Sequence, residues 1–183
     1  MKKLIDRILS SKELKDVTAL AISSIMTALN VVLGFFTVQP NEFLKIGFGF
    51  VPLSLVGMLY GPVAGGLAGI AGDLLKFAIR PTGPYFIGFT ISGFLTGFLY
   101  GLFFYRQRIT LVRAAFAQLT VSLFIHVMLN SVWLNLLFGT PIVAMLPTRL
   151  FKNAILFPIE VGIIYSVSRV IEKIMKRSGV SMK

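Results

Sequence analysis

The chain has 183 residues, room for one domain, of which 56% are hydrophobic and only 14% charged. Soluble globular chains hold about 45–50% apolar and about 25% charged residues, so this balance, with a mean hydropathy of +0.85, excludes an ordinary soluble protein and indicates an integral membrane one. Cysteine is absent and His126 is the single histidine, which removes disulfide, haem-attachment and metal-cluster chemistry, while a formal charge of +11 on so apolar a chain points to anionic lipid headgroups rather than nucleic acid.

The first residues, Met1 to Asp16, mix charges with an i, i+3/i+4 apolar pattern and read as an interfacial amphipathic segment, not a signal peptide. Spans are then placed by apolar length, about 20 residues per crossing. Span 1 runs from Val17 to Val38 and ends at Pro40-Asn41-Glu42. Span 2, Ile46 to Tyr60, is short; the Gly61-Pro62 turn leads into span 3, Val63 to Ile79, which carries Asp73 and Lys76. Span 4 is Tyr85 to Tyr105, span 5 Ala114 to Phe138 and span 6 Met145 to Val170. The expected fold is therefore an all-α membrane domain of six helices spanning 17–170, preceded by the segment 1–16 and followed by a basic tail 171–183.

Basic residues orient it. Lys2, Lys3, Arg7, Lys12 and Lys15 precede span 1, Arg106, Arg108 and Arg113 separate spans 4 and 5, and Arg169, Lys173, Lys176, Arg177 and Lys183 follow span 6. With six spans these 13 of 18 cations share one side, so both termini are expected in the cytoplasm. The other five, Lys45, Lys76, Arg80, Arg149 and Lys152, fall in or near the outer half of the membrane. Topology signalling does not explain them there, and an intramembrane charge costs at least a few kcal/mol unless paired or hydrated, so each is a candidate for function.

Helical phase gathers them. At about 100° per residue Asp73, Lys76, Phe77 and Arg80 share one face of span 3, His126, Asn130, Trp133 and Leu137 one face of span 5, and Arg149, Lys152, Asn153 and Glu160 one face of span 6. Three polar stripes suggest one walled pocket for an anionic ligand. Other readings stand beside this one. Asp73 and Lys76 are spaced to pair with each other, Arg149 and Lys152 are long enough to snorkel to headgroups, His126 suits an interhelical hydrogen bond, and Trp133 suits an interfacial belt.

Small residues form a second pattern. Gly61, Gly65 and Gly69, then Ala64, Ala68 and Gly72, then Gly93, Gly97 and Gly101 each recur at every fourth position, the spacing that lets helices approach closely in lipid. Span 1 carries the small pair Ser24 and Ala28 on one face and Ser23, Thr27, Asn30 and Gly34 on another, so one face is free for a partner subunit. No GxxxxGK[ST] phosphate loop, Ser-His-Asp set or catalytic carboxylate pair stands out. Uphill transport would need an ion gradient or another subunit for energy, and a complete carrier would be unusually small.

At Ser24/Ala28, at PTGPYFIGFTISGFLTG (Pro81 to Gly97) and above all at HVMLNSVWLNLLFG with LPTRLFKN, the chain resembles the substrate-binding (S) components of energy-coupling factor (ECF) transporters, the vitamin importers of prokaryotic cell membranes, and most of all their folate-specific branch. The resemblance spans nearly the whole chain. It implies a six-helix fold with an outward cavity capped by the loops joining spans 1–2, 3–4 and 5–6, no enzymatic activity and no cofactor. It also implies a transmembrane coupling subunit and two ATPase subunits as partners, with Ser24 and Ala28 docking on the former, and a loaded subunit that topples in the membrane. Serine replaces an alanine of the family's docking pair.

Folate joins a flat pterin and an aminobenzoate to a glutamate with two carboxylates. Carboxylates favour guanidinium and ammonium donors, which assigns them to Arg80, Arg149, Lys152 and Lys45. The rings want aromatic walls, for which Tyr85, Phe86 and Trp133 are candidates, and the pterin edge wants Asn130, Asn153 and a carboxylate, Asp73 or Glu160. Pantothenate also bears a carboxylate; a neutral vitamin such as riboflavin would leave several of these cations without a role, and a thiamin precursor would favour acidic or aromatic walls. A stand-alone carrier and a lipid-modifying membrane enzyme are the readings outside the family.

Overall fold

A computed structural model describes residues 16–41, 44–81 and 83–177; most of the expected amphipathic segment, Glu42 after span 1 and the tail beyond Arg177 lie outside the described residues. Helix α1 (Val17–Phe35) starts at Asp16, whose carboxylate accepts the Thr18 N–H at 3.0 Å, one of the donors that every helix start leaves open. Next comes a hairpin that the helix-only expectation did not contain. Strand β1 (Val38–Asn41) pairs antiparallel with β2 (Leu44–Ile46), Val38 opposite Ile46 and Asn41 opposite Leu44.

Expected spans 2 and 3 are joined into one hydrogen-bonded run, α2 (Phe50–Ile79), broken at Gly61, whose φ of 91° and ψ of 178° are open only to glycine. The break is a reversal. A side-chain carbon at Gly65 would lie 3.0 Å from the Gly57 Cα, although a straight helix separates residues eight apart by about 12 Å. The two legs thus form a helical hairpin. Its first leg, eleven residues before Gly61, reaches roughly 16 Å, short of the hydrocarbon core of about 30 Å.

Helix α3 (Ile87–Phe104) follows. Expected span 5 is one continuous run in three parts, α4 (Leu111–Thr120), a π-helical segment (Val121–Leu129) and α5 (Asn130–Phe138). Thr110 caps its start through the Arg113 N–H, and Gly139 ends it in the left-handed conformation, φ 66°. Helix α6 (Ile142–Arg177) is 36 residues long, about 54 Å at 1.5 Å per residue, and takes in the first part of the expected tail, as far as Arg177. Among the described residues five helical runs, rather than six, are long and apolar enough to cross a membrane.

The glycine patterns meet one another. A carbon added at Gly97 or Gly69 would collide with the backbone carbonyl of Gly65 or Gly93, and one at Gly101 with Pro62. So α3 lies backbone to backbone on the second leg of α2, where dispersion and carbonyl contacts replace the hydrophobic drive that lipid cannot supply. The alternate stripe serves the other neighbours. Ala64 and Ala68 pack with Leu53 and Val56 of the first leg, and Gly72 faces Asn30 and Thr27 of α1.

The dense core gathers at one end of the bundle, where Leu55, Met58, Tyr100, Phe104, Ile109, Ala114, Ala117, Val121, Val161 and Ile164 bury one another. The other end is hollow.

Replacing Gly97 by valine is expected to destabilise the bundle by roughly 1–3 kcal/mol, the usual cost of overpacking. At Gly162, where an added carbon meets nothing within 4 Å, alanine should be neutral within about 0.5 kcal/mol. Thermal unfolding of both variants in detergent checks the contrast, and equal stabilities would remove the close-packing account.

Candidate functional site

The hollow end encloses a cavity of about 670 Å³, within the range of roughly 300–1,000 Å³ typical of small-molecule sites. Each of the three stripes read from helical phase contributes to its wall. From α2 come Asp73, Lys76, Phe77 and Arg80, and from α6 Arg149, Lys152, Asn153 and Glu160. The π segment and α5 add His126, Asn130, Leu134 and Leu137. Tyr85 and Phe86 complete the wall on the loop before α3. Lys45 belongs to β2, but its side chain is outside what is described.

Trp133 does not line the cavity. In the phase-shifted run Leu134 takes the place expected for it, because the wider i→i+5 turns of the π segment place more residues in each turn than the α-helical period assumes. The indole instead backs the wall. It packs on Phe86 with ring centroids 5.7 Å apart, and its N–H donates to Ser92 Oγ at 3.1 Å. Ser92 in turn donates to Asn130 Oδ1 at 2.7 Å, which fixes the Asn130 amide and leaves its NH₂ as a donor.

Arg149 is the most constrained cation. It is 7% exposed, and Nη1 donates to the His126 carbonyl at 2.7 Å. Its Nε has no hydrogen-bond partner, and among the described residues no carboxylate lies within ion-pair distance of it. This is not a side chain snorkelling to headgroups. Asn153, one turn further on, is equally buried. Arg80 is exposed and stands at the rim.

Each of the two carboxylates accepts a hydrogen bond from a neutral donor. Thr90 Oγ1 donates to Asp73 Oδ2 at 2.7 Å and lies 2.9 Å from the Tyr85 hydroxyl, so Asp73, Thr90 and Tyr85 form one chain. Glu160 accepts from Gln118 Nε2, and the Gln118 Oε1 accepts from the Tyr100 hydroxyl at 2.6 Å. This second chain leads from the cavity into the dense core. The described wall therefore carries four cations, Lys76, Arg80, Arg149 and Lys152, against two carboxylates.

Aromatic rings supply the apolar lining. Phe77 meets Tyr85 edge to face at 5.1 Å, and Phe86 meets Phe89 at 6.0 Å. Several wall residues had no place in the sequence assignment of the site. Lys76 belongs to the span 3 stripe but has no ligand role in that assignment; its stem passes against Gly34 and its Nζ lies near Gly49. Asn30 donates to the Gly49 carbonyl and ties α1 to the start of α2. Gln118, Ser92 and Thr96 were missed, although an amide inside an apolar span such as Gln118 is itself a signal. On the outside of α1, Ser24 and Ala28 are exposed, while Thr27 and Asn30 of the second face are buried.

Comparison with known proteins accords with this geometry. Residues 18–168 match the family described as the ECF transporter, substrate-specific component. The folate transporter FolT of Clostridium novyi (strain NT) is 33% identical over 161 residues, covering 88% of this chain and 94% of that protein. FolT of Leuconostoc mesenteroides subsp. mesenteroides is 32% identical over 156 residues, covering 82% and 84%. A crystal structure of FolT bound with folic acid matches with a TM-score of 0.79 and 35% identity, covering 84% of this chain and 94% of that one. The chain thus belongs to the substrate-specific components of ECF transporters and is similar to their folate-specific members.

Proposed function

We propose that this chain binds folate from outside the cell and delivers it through an ATP-driven ECF importer. The observation that carries the proposal is the cation surplus of the cavity, with Arg149 buried in its wall and unmatched by any described carboxylate. A buried charge without a counter-charge costs several kcal/mol. Two ligand carboxylates would balance a described excess of two positive charges.

In this reading Arg149, Lys152 and Arg80, with Lys45, receive the glutamate carboxylates. Tyr85 and Phe86, backed by Trp133, hold the rings. Asn130 and Asn153, with Asp73 or Glu160, meet the donor-acceptor edge of the pterin. The FolT name of two relatives and the folic acid in the matched structure support this choice of vitamin. No bond of the ligand changes in this role.

The two legs of α2 count here as helices 2 and 3, entering and leaving on the same side although the first does not cross by itself, which makes six helices and puts both termini in the cytoplasm. Partners follow from the family, a transmembrane coupling subunit and two ATPase subunits. The exposed face of α1 at Ser24 and Ala28 docks on the coupling subunit.

Purified protein is expected to bind one folate per chain. Arg149→Ala and Lys152→Ala should each weaken binding about ten- to a hundredfold, since hydrogen bonds to charged groups contribute about 1.5–3 kcal/mol. Arg177→Ala, at the far end of α6, should not. Titration calorimetry decides, and undiminished affinity in both cavity variants would refute the charge assignment. Competition by pantothenate, riboflavin or a thiamin precursor at equal strength would refute the choice of folate.

A bulky residue at the docking face separates binding from transport. Ala28→Trp should leave folate affinity unchanged and reduce ATP-driven uptake into liposomes containing the whole complex by at least roughly tenfold, a loss of about 1.4 kcal/mol in coupling. Full uptake by this variant, or uptake by the chain without its ATPases, would contradict the proposed coupling.

A further inference from the structure

A second concavity, of about 400 Å³, opens on the side of the bundle between the end of α3 and the start of α4. Leu102, Phe103, Val112 and Phe116 form its apolar part, and Gln107, Thr110 and Arg113 its polar end. Val112 and Phe116 stand one turn apart on α4, 65% and 58% exposed, with Leu119 continuing the same outward surface. In a membrane-spanning helix that surface faces acyl chains.

Arg113 is the one charged residue of that lining, and the charges next to it in the sequence are basic too. Arg106, Arg108 and Arg113 lie within eight residues, and no acidic residue occurs between Asp73 and Glu160. Glu172 is the buried carboxylate of α6, and it is already paired with Arg169 at 3.4 Å and Lys176 at 2.8 Å. The first turn of α4 adds its open amides and the positive end of its dipole.

Topology signalling asks only that basic residues be somewhere in this loop. It does not account for their placement. Arg113 is half-buried, with Nη1 donating to Gln107 Oε1 at 2.7 Å and to the Arg108 carbonyl at 3.3 Å. It is thus built into the polar end rather than released to solvent. Arg106 occupies a left-handed backbone position, φ 53°, that glycine or asparagine would adopt with less strain. Its guanidinium sits over the Tyr105 ring at 5.0 Å.

We propose that this concavity binds one acidic phospholipid. Its phosphate lies among Arg106, Arg113 and the first amides of α4, and one acyl chain follows Leu102, Val112 and Phe116. Charge complementarity selects the headgroup, and the outward apolar ridge selects a lipid over a soluble anion. Bound there, the lipid bridges α3 and α4 at the end of the bundle opposite the cavity.

The test is native mass spectrometry of the full chain in mild detergent, incubated with equal amounts of phosphatidylglycerol and phosphatidylcholine of the same acyl chains. At about 1 kcal/mol per basic residue near a headgroup, the first should be retained over the second by roughly tenfold or more. R106Q/R113Q should lose that preference, and so should Val112→Asp, an exposed position whose change leaves the core intact. K173Q/R177Q, on the exposed end of α6, should keep it. Thermal unfolding reports whether each variant is folded. The proposal is overturned if the wild type shows no preference, if K173Q/R177Q loses it equally, or if excess inorganic phosphate displaces the adduct and so identifies a site for a free anion.

Discussion

A guanidinium inside a membrane protein, bound to a backbone carbonyl and facing no carboxylate among the described residues, is the constraint on which the rest of the structure turns. Arg149 has its hydrogen bond to His126 but no described counter-charge. Low dielectric makes such an arrangement costly in the empty protein and favourable once an anion arrives. The neighbouring π segment is part of the same device. Its wider turns re-aim α5 and bring the His126 carbonyl to Arg149, which a regular helix would place at a different phase. Polar, partly satisfied groups therefore line a space suited to an anion.

Holding such a space open requires rigidity elsewhere. The glycine contacts between α2 and α3 supply it, joining two backbones so closely that side chains are excluded from the seam. The dense core beneath, from Tyr100 through Gln118 to Glu160, connects the cavity floor to the packed end. One half of the molecule is thus a fixed block. The opposite wall, made by the π segment, α5 and the proline-containing α6, carries His126, Asn130 and the Arg149 group. Binding chemistry is divided between a rigid side that presents Asp73, Lys76 and the aromatic rings and a side that presents the guanidinium.

Much of this was legible in the sequence because helical phase is a geometric fact. Asp73, Lys76, Phe77 and Arg80 line one wall as their spacing required, and so do Arg149, Lys152, Asn153 and Glu160. Two of the three runs of small residues likewise mark where backbones touch, at Gly65 on Gly97 and Gly69 on Gly93. What the sequence hid had other causes. Nothing in the composition of Val121–Leu129 distinguishes a π turn from an α turn, so Trp133 was assigned to the wall and Leu134 was not. The Val38–Ile46 hairpin is too short, and too interrupted by Pro40, to show a strand period. Ser92 and Thr96 read as small packing residues, and their hydrogen bonds depend on partners that only the fold brings near. Gly61 was recognised as a turn, but hydropathy alone cannot show that the leg before it is too short to cross by itself.

The central claim is that the buried cations exist for the carboxylates of the ligand. The most direct measurement compares folic acid with its diamide, in which both glutamate carboxylates are neutral amides of nearly the same shape, by calorimetric titration of the purified chain. The account predicts that the diamide binds about two orders of magnitude more weakly or worse, the loss expected from removing charge-assisted bonds of about 1.5–3 kcal/mol each. Equal affinity for the two compounds would contradict it.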